Sequence, residues 1–312
     1  MKIVVTGGLG HIGSKLIRDL PASFPGAEIV VIDNMLTQRY ASLFNLPGAG
    51  RYNFIEGDIM KYDMTSVLAG AECLIHLAAI TDAASSFEHP EKVEEVNLKG
   101  TEIMAAACQK AGVPLVFIST TSVYGTQAEK VDENCSLDEL KPQSPYADSK
   151  LKAEQFLQEM GRTAGLKFII CRFGTIFGIS EGMRFHTAVN KFVWQAVFDK
   201  PITVWRTALD QNRPYLDLKD AVRAFSFIIE KKLYDRQVYN VLTLNASVRQ
   251  ITDAIQAEKG QIKIEYVDSK IMNQLSYHVL NDKFAGLGFK FTGDLKASLR
   301  ESIRLLAQAN SV

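Results

Sequence analysis

The stretch Ile3-Val4-Val5-Thr6-Gly7-Gly8-Leu9-Gly10-His11-Ile12-Gly13 decides the fold. Ile3 to Thr6 is a continuous, mainly β-branched run, the pattern of a strand buried on both faces. The glycines after it are spaced G-x-x-G-x-x-G, and a helical pattern follows over His11–Leu20. Strand, glycine turn and helix in that order make a seat for the pyrophosphate of a dinucleotide. One glycine permits the tight turn, a second lets backbone approach the ligand, and a third lets helix and strand pack closely. Gly7, Gly10 and Gly13 supply the three. The helix start, with His11 and Ile12, adds free N–H groups and a partial positive charge. A triphosphatase loop would need G-x-x-x-x-G-K-[ST]. Gly8 and Gly13 have that spacing, but Ser14-Lys15 puts the lysine in the wrong place.

The same rhythm runs on to residue 175. Ile29–Ile32, Asn53–Ile55, Cys73–His76, Leu115–Ile118 and Phe168–Cys171 are further apolar runs, separated by helical patterns that include Pro90–Ala111 and Pro145–Ala164. This succession predicts an α/β fold with a doubly wound parallel sheet over residues 1–175. Beyond Gly178 the rhythm loosens. Helical patterns over Thr187–Phe198, Lys219–Lys231, Ser247–Lys259 and Asp294–Gln308 alternate with short runs at Ile202–Trp205 and Val238–Val241. Residues 176–312 are read as a smaller α+β substrate-binding portion, from which the chain returns to the first near 214–242. No Pro/Gly/Ser linker separates the two, so the boundary is expected to be a cleft.

Composition narrows the partners. The 312 residues carry 35 Lys plus Arg against 35 Asp plus Glu, so there is no net field to hold nucleic acid or an anionic membrane. No stretch approaches the 18 apolar residues of a membrane span. Cys73, Cys108, Cys135 and Cys171 form no C-x-x-C pair, which reads as free thiols in a cytoplasmic protein. The five histidines show no metal-ligand spacing, so no metal is expected.

Two further features point to chemistry. Asp33 ends the second strand 20 residues past Gly13, where a carboxylate can accept the ribose hydroxyls of NAD and repel the extra phosphate of NADP. Tyr146 and Lys150 open the Pro145–Ala164 pattern four residues apart, hence on one helix face. A neighbouring cation favours the phenolate, which makes Tyr146 a usable general base for a sugar hydroxyl. Gly178-Ile179-Ser180-Glu181-Gly182 also fits G-x-S-x-G, but no clear helix starts after it, as a hydrolase elbow requires.

Glycine turn and Y-x-x-x-K together resemble the extended short-chain dehydrogenase/reductase superfamily, specifically its NAD-dependent nucleoside-diphosphate-sugar epimerase/dehydratase family. The landmarks run in order: Thr6–Gly13, Asp33-Asn34, Gly57-Asp58-Ile59, His76–Ala79, Asn97–Thr101, Ser119–Gly125, Pro145–Lys150 and Arg213-Pro214-Tyr215. The resemblance implies NAD as cofactor, and it places Asp58 and Ile59 at the adenine and Leu77, Ala78 and Ala79 along the cofactor's path. It puts Asn34 and Asn97 near the cofactor as well, and gives Lys150 the nicotinamide ribose. Thr120 matches the hydroxyl that holds the reacting sugar oxygen, and Arg213 the grip on the substrate diphosphate. Thr81, Thr175, Arg184 and Asn190 are assigned to the substrate, with Thr175 standing where many members have asparagine.

Dehydratases of this family resemble Ser-Thr-Asp-Glu-Val-Tyr-Gly at the fifth strand. Here Thr121 and Ser122 replace the acid pair, and neither can move the protons that elimination of water requires. The expected activity is therefore 4-epimerisation of a nucleoside-diphosphate sugar. A 4-dehydrogenase or ketoreductase would use the same groups, and a non-catalytic NAD-binding regulator is a third reading. Apolar residues spread beyond one stripe on Pro90–Ala111 and Pro145–Ala164, among them Met104, Ala105, Leu151, Phe156 and Met160. The related enzymes pair these two helices, so a homodimer is expected.

Overall fold

The computed structural model describes residues 1–125, 129–268 and 276–310. Its centre is a parallel sheet built from β1 (Lys2–Thr6), β2 (Glu28–Asp33), β3 (Arg51–Glu56), β4 (Cys73–His76), β5 (Leu115–Thr120) and the strands Phe168–Phe173 and Val238–Val241. From one edge the order is Val238–Val241, Phe168–Phe173, β5, β4, β1, β2, β3. The continuous apolar runs are explained by that order, because helices cover both faces. Along β1, Ile3 and Val5 point to one side and Val4 to the other, and all three are fully buried. On the first side they meet Leu16, Ile17 and Leu20 of α1 (His11–Ser23) and Phe225 and Ile228 of the helix Leu218–Lys231. On the second side lie Met104 and Cys108 of the helix Gly100–Ala111 and Leu157 of the helix Pro145–Thr163. Each such side chain contributes about 1.5–3 kcal/mol by leaving water.

The direction of winding reverses between β1 and β4, which are paired with Thr6 opposite His76. Loops leave the sheet in opposite directions at that point, and the crevice above the strand ends is where an open α/β sheet binds its ligand.

The second lobe stacks the helices Ala188–Val197, Val248–Lys259 and Leu295–Ala307 around Val193, Ile251 and Leu299. Three short strands, Thr175–Phe177, Asn212–Asp217 and Leu244–Ser247, form a separate small sheet that the periodicity does not announce. Ile202–Trp205 pairs with Ile264–Val267. Val238–Val241 then leaves this lobe and joins the main sheet beside Phe168–Phe173. No helix among the described residues is long and apolar enough to cross a membrane.

Two sequence expectations change. Pro90–Ala111 is not one regular helix: Pro90–Glu94 and Gly100–Ala111 are joined by a π-helical stretch, Glu95–Lys99. A π turn widens the helix where a side chain is drawn elsewhere, and Asn97 in its middle is bonded to the loop after β4. The apolar excess on the two long helices is also largely consumed within the chain. Met104, Ala105, Leu151, Ala153 and Leu157 are buried, and Phe156 and Met160 pack against the same core.

Candidate active site

A cavity of about 640 Å³ opens over the ends of β1, β2, β3, β4 and β5 and is closed from above by the second lobe. Its floor is the glycine turn. Gly7 has φ +65°, and a Cβ there would stand 2.6 Å from the backbone nitrogen of Ala78. A Cβ on Gly13 would stand 2.6 Å from the Gly7 carbonyl oxygen. Backbone from β1, β4 and α1 can therefore close around a ligand only because no side chain intervenes. The first N–H groups of α1 face this floor, and that combination fits a dinucleotide pyrophosphate.

Asp33 is pinned at the tip of β2. Its Oδ2 accepts the Leu9 N–H at 3.1 Å and its Oδ1 accepts the Met35 N–H at 3.0 Å. The carboxylate thus braces the glycine turn while facing the cavity, beside exposed Asn34. Asp58 and Ile59 line the wall beyond β3, and Leu77, Ala78 and Ala79 line the end of β4. Gly10, His11 and Ile12 complete the floor. Every residue assigned to NAD from the sequence lines this cavity except Asn97.

Asn97 is a support instead. Its Oδ1 accepts the Ile80 N–H at 2.8 Å, and its Nδ2 donates to the Ile80 carbonyl at 2.9 Å and to Ser149 Oγ at 3.1 Å. With all three bonds directed at protein, it ties the loop after β4 to the helix of Tyr146, and it is buried and does not line the cavity. Asn190 is corrected in the same way. It accepts from the Gly178 N–H and donates to the Arg184 carbonyl, so it shapes the loop that carries Arg184 and does not face the cavity. Thr81, Thr175, Arg184 and Arg213 do line it.

Ser144 caps the helix Pro145–Thr163 by accepting the Ala147 N–H, and Pro145 presets the first turn. Tyr146 is thereby held at the mouth of the cavity, half-buried, against Thr120 at the end of β5. Burial raises the phenol above its ordinary value, and Arg184 and the Thr120 hydroxyl oppose that rise. Arg184 is thus a further cation acting on the phenol, beside the Lys150 that the helical spacing points to. Lys150 Nζ is drawn down to the Ile118 carbonyl oxygen at 2.8 Å and lies 4.7 Å from the centre of the Phe117 ring. Burial brings Lys150 down to about 7, with Glu154 working against the fall.

The G-x-S-x-G stretch has a different job from the one its motif suggests. His11 Nε2 donates to the Gly178 carbonyl at 2.9 Å, and Ser180 Oγ donates to the His11 carbonyl at 2.8 Å. The Gly182 N–H donates to Ser14 Oγ at 2.9 Å, and Arg39 Nη1 donates to the Gly182 carbonyl at 2.8 Å. The segment is a latch laid across the glycine turn, and it delivers Arg184 into the cavity, where its guanidinium contacts Thr81 Oγ1. Arg39, which lines the cavity, and Ser180 and Gly182, which brace the glycine turn from behind, are not among the residues the sequence points to. The two glycines of the G-x-S-x-G stretch, whose hydrolase reading fails for want of a following helix, were the available signal.

Comparison with known proteins agrees with this geometry. Residues 3–241 match the NAD dependent epimerase/dehydratase family. The chain is 29% identical over 285 residues, 88% of each chain, to an uncharacterized UDP-glucose epimerase of Bacillus subtilis (strain 168). It is 27% identical to the dTDP-D-glucose 4,6-dehydratase of Bos taurus, covering 97% of this chain and 87% of that one. Among solved structures, the UDP-glucuronic acid 4-epimerase from Bacillus cereus, in complex with UDP-glucuronic acid and NAD, superposes with a TM-score of 0.89 at 25% identity over 99% of this chain and 100% of that one. The glycine turn, the pinned Asp33 and the Thr120, Tyr146 and Lys150 set are therefore those of a chain that belongs to the NAD-dependent epimerase/dehydratase family, an enzyme of the extended short-chain dehydrogenase/reductase type.

Proposed function

We propose that the enzyme is a nucleoside-diphosphate-sugar 4-epimerase that works through a 4-keto intermediate. The observation that carries this reading is the meeting of Tyr146, Thr120 and Lys150 at the mouth of the dinucleotide cavity, with Thr121 and Ser122 in place of an acid pair. When bound, NAD supplies a reversible hydride acceptor. Tyr146 takes the proton of the sugar 4-hydroxyl and later returns it. Thr120 holds the reacting oxygen, so that the proton moves along a fixed hydrogen bond. Arg184 favours the phenolate through its charge. The Lys150 ammonium, anchored on Ile118 and lining the cavity, would hold the nicotinamide ribose. Arg213 grips the diphosphate, for which a planar fork of donors is suited. Thr81, Thr175 and Arg184 take the sugar. Presentation of the other face of the 4-keto sugar, with the hydride returned to C4 and the proton returned from Tyr146 to the oxygen, inverts the carbon and leaves the cofactor as it began.

The test is a screen of nucleoside-diphosphate sugars with added NAD, read for the 4-epimer and for net NADH. Epimer without net NADH is the expected result. Stoichiometric NADH would favour the 4-dehydrogenase reading. Binding of NAD with turnover of no sugar in the screen would favour a regulator. Tyr146→Phe should lower turnover by at least about 100-fold and leave NAD binding intact. Retained turnover would remove Tyr146 from this role.

A homodimer through the helices Gly100–Ala111 and Pro145–Thr163 belongs to the same proposal. It is supported by Ile103, which is 38% exposed on the first helix.

A further inference from the structure

Beneath the cavity one buried carboxylate joins the elements that carry the catalytic groups. Glu154 lies one helical turn past Lys150 and two past Tyr146, on the same face of Pro145–Thr163. It is 2% exposed. Arg172, from the strand Phe168–Phe173, holds it with Nε at 3.0 Å from Oε1 and Nη2 at 2.6 Å from Oε2. Ser119 of β5 donates its hydroxyl to Oε1. Ser119 and Arg172 are direct partners across the two strands. A single carboxylate therefore pins the helix to two neighbouring strands at the level where Ile118 receives Lys150 and Thr120 meets the phenol. The guanidinium of Arg172 lies 4.9 Å from the centre of the Tyr124 ring. The Tyr124 hydroxyl in turn donates to Asn240 Oδ1 on the edge strand at 2.8 Å.

Attachment alone does not call for such a pair. Desolvating two charges costs about as much as their attraction returns, and apolar side chains hold helix to sheet at least as well. Ala153 and Leu157, on either side of Glu154, already do so. What the pair adds is a carboxylate one helical turn from a buried ammonium, on the same helix face, with its place fixed by Arg172 and Ser119. The groups facing Lys150 are Tyr146 and Glu154 from its own helix, neutral His76 from β4, and the Phe117 ring and Ile118 carbonyl from β5. Glu154 is the one carboxylate among these.

We propose that Glu154 is a positioning residue for catalysis, which keeps the Lys150 side chain charged and aimed while Arg172 and Ser119 hold the carboxylate itself in place. The catalytic meaning of this arrangement rests on the assignment of Tyr146 and Lys150 to the reaction, whereas the electrostatic relation can be tested without any substrate.

The experiment is a ¹³C NMR titration of the full chain, labelled at the lysine ε-carbons and saturated with NAD, in three forms: wild type, Glu154→Gln, and Glu154→Gln with Arg172→Gln. The Lys150 resonance is assigned by its loss in Lys150→Arg. In wild type it should titrate near neutrality, well apart from the surface lysines. In Glu154→Gln the midpoint should fall by about one pH unit or more, because the carboxylate is gone and Arg172 stays charged. The double variant should lie between the two, since both charges are removed together. A purely structural role would leave all three midpoints alike, and that result would overturn the proposal. If Glu154→Gln alone does not fold, the comparison of wild type with the double variant decides: a lower midpoint supports the proposal and an equal one rejects it. Failure to find a turned-over sugar would leave this titration untouched, so the two readings fail separately.

Discussion

Gly182, in the second lobe, lies directly on the backbone of Leu9 in the glycine turn: a Cβ there would stand 2.3 Å from the Leu9 carbonyl oxygen. It would also stand 2.6 Å from the Gly10 carbonyl oxygen, and neither backbone atom can turn aside. Gly182→Ala must therefore lift the latch from the turn or deform the turn itself. Overpacking of this kind costs about 1–3 kcal/mol. We expect a lower melting temperature together with NAD binding weakened by at least about tenfold, a loss of about 1.4 kcal/mol. Calorimetric titration with NAD measures the second effect, and unchanged affinity would show that the latch is independent of the cofactor seat.

Asp33 accepts two backbone N–H groups, one from each side of the crevice rim. Asn at this position keeps one acceptor and turns an NH₂ toward one of the donors, so the turn loses a brace and the cavity loses a negative charge. Asp33→Asn should weaken NAD and reduce discrimination against NADP, because the repulsion of a 2′-phosphate goes with the charge. Comparing the two dissociation constants in both proteins checks this. An unchanged ratio would leave Asp33 with only the structural task.

Acid should destabilise the fold well above the carboxylate range. His76 is buried with Nδ1 2.7 Å from Thr6 Oγ1, and burial pushes it down to about 3, with the Lys150 charge adding to the fall. Burial likewise takes His11 down to about 4. The unfolded chain binds these protons near pH 6.5, whereas the folded chain refuses them. Stability therefore rises with pH across the interval, and it is lost as the pH drops from about 6.5 toward 4. The slope is about 1.4 kcal/mol per pH unit for each such histidine. Urea denaturation at pH 7, 6 and 5 should show midpoints that fall in step, and His76→Gln should flatten the trend. Parallel curves for the two proteins would refute the assignment.

Light scattering should return twice the 34.6 kDa of a single chain at micromolar concentration. Ile103→Glu, on the exposed face of Gly100–Ala111, should return the single mass with little change in melting temperature. A wild-type mass of 34.6 kDa would dispose of the dimer.

The parts of this architecture written in local pattern were legible from the chain alone. β1, β2, β4, β5 and the strands Phe168–Phe173 and Val238–Val241 are buried on both faces, so their apolar runs are unbroken, and the glycine turn carries its steric reason in its spacing. The small strands Thr175–Phe177 and Asn212–Asp217 were not legible, because they are defined by pairing across some 40 residues and carry no strong alternation. Tyr146 and Lys150 were found by helical spacing, but where each side chain goes was not. Lys150 Nζ is claimed by a carbonyl on β5, and a further charge acting on Tyr146 comes from a loop 38 positions away. Glu154 with Arg172 is invisible for the same reason: the pair exists only once Ser119 and Arg172 have found one another in the sheet. Asn97 and Asn190 were recognised as polar and central, yet whether an amide faces a ligand or a neighbouring loop depends on bonds that no spacing reveals.

The edge strand Val238–Val241 is threaded back into the sheet partway through the second lobe, and the chain then returns to add the helices Val248–Lys259 and Leu295–Ala307. Phe225, Ile228 and Phe284, all from beyond residue 175, pack in the same core as Ile3 and Leu16. No single cut in the polypeptide therefore yields a cofactor half and a sugar half. Residues 1–175 expressed alone would present a bare strand edge and an uncovered apolar face, an invitation to aggregate. Exchanging residues 176–312 with a relative's would transplant a piece of the dinucleotide fold along with the sugar pocket. Altered sugar choice in this scaffold must come by changing loops in place, because the pocket is not an interchangeable cassette.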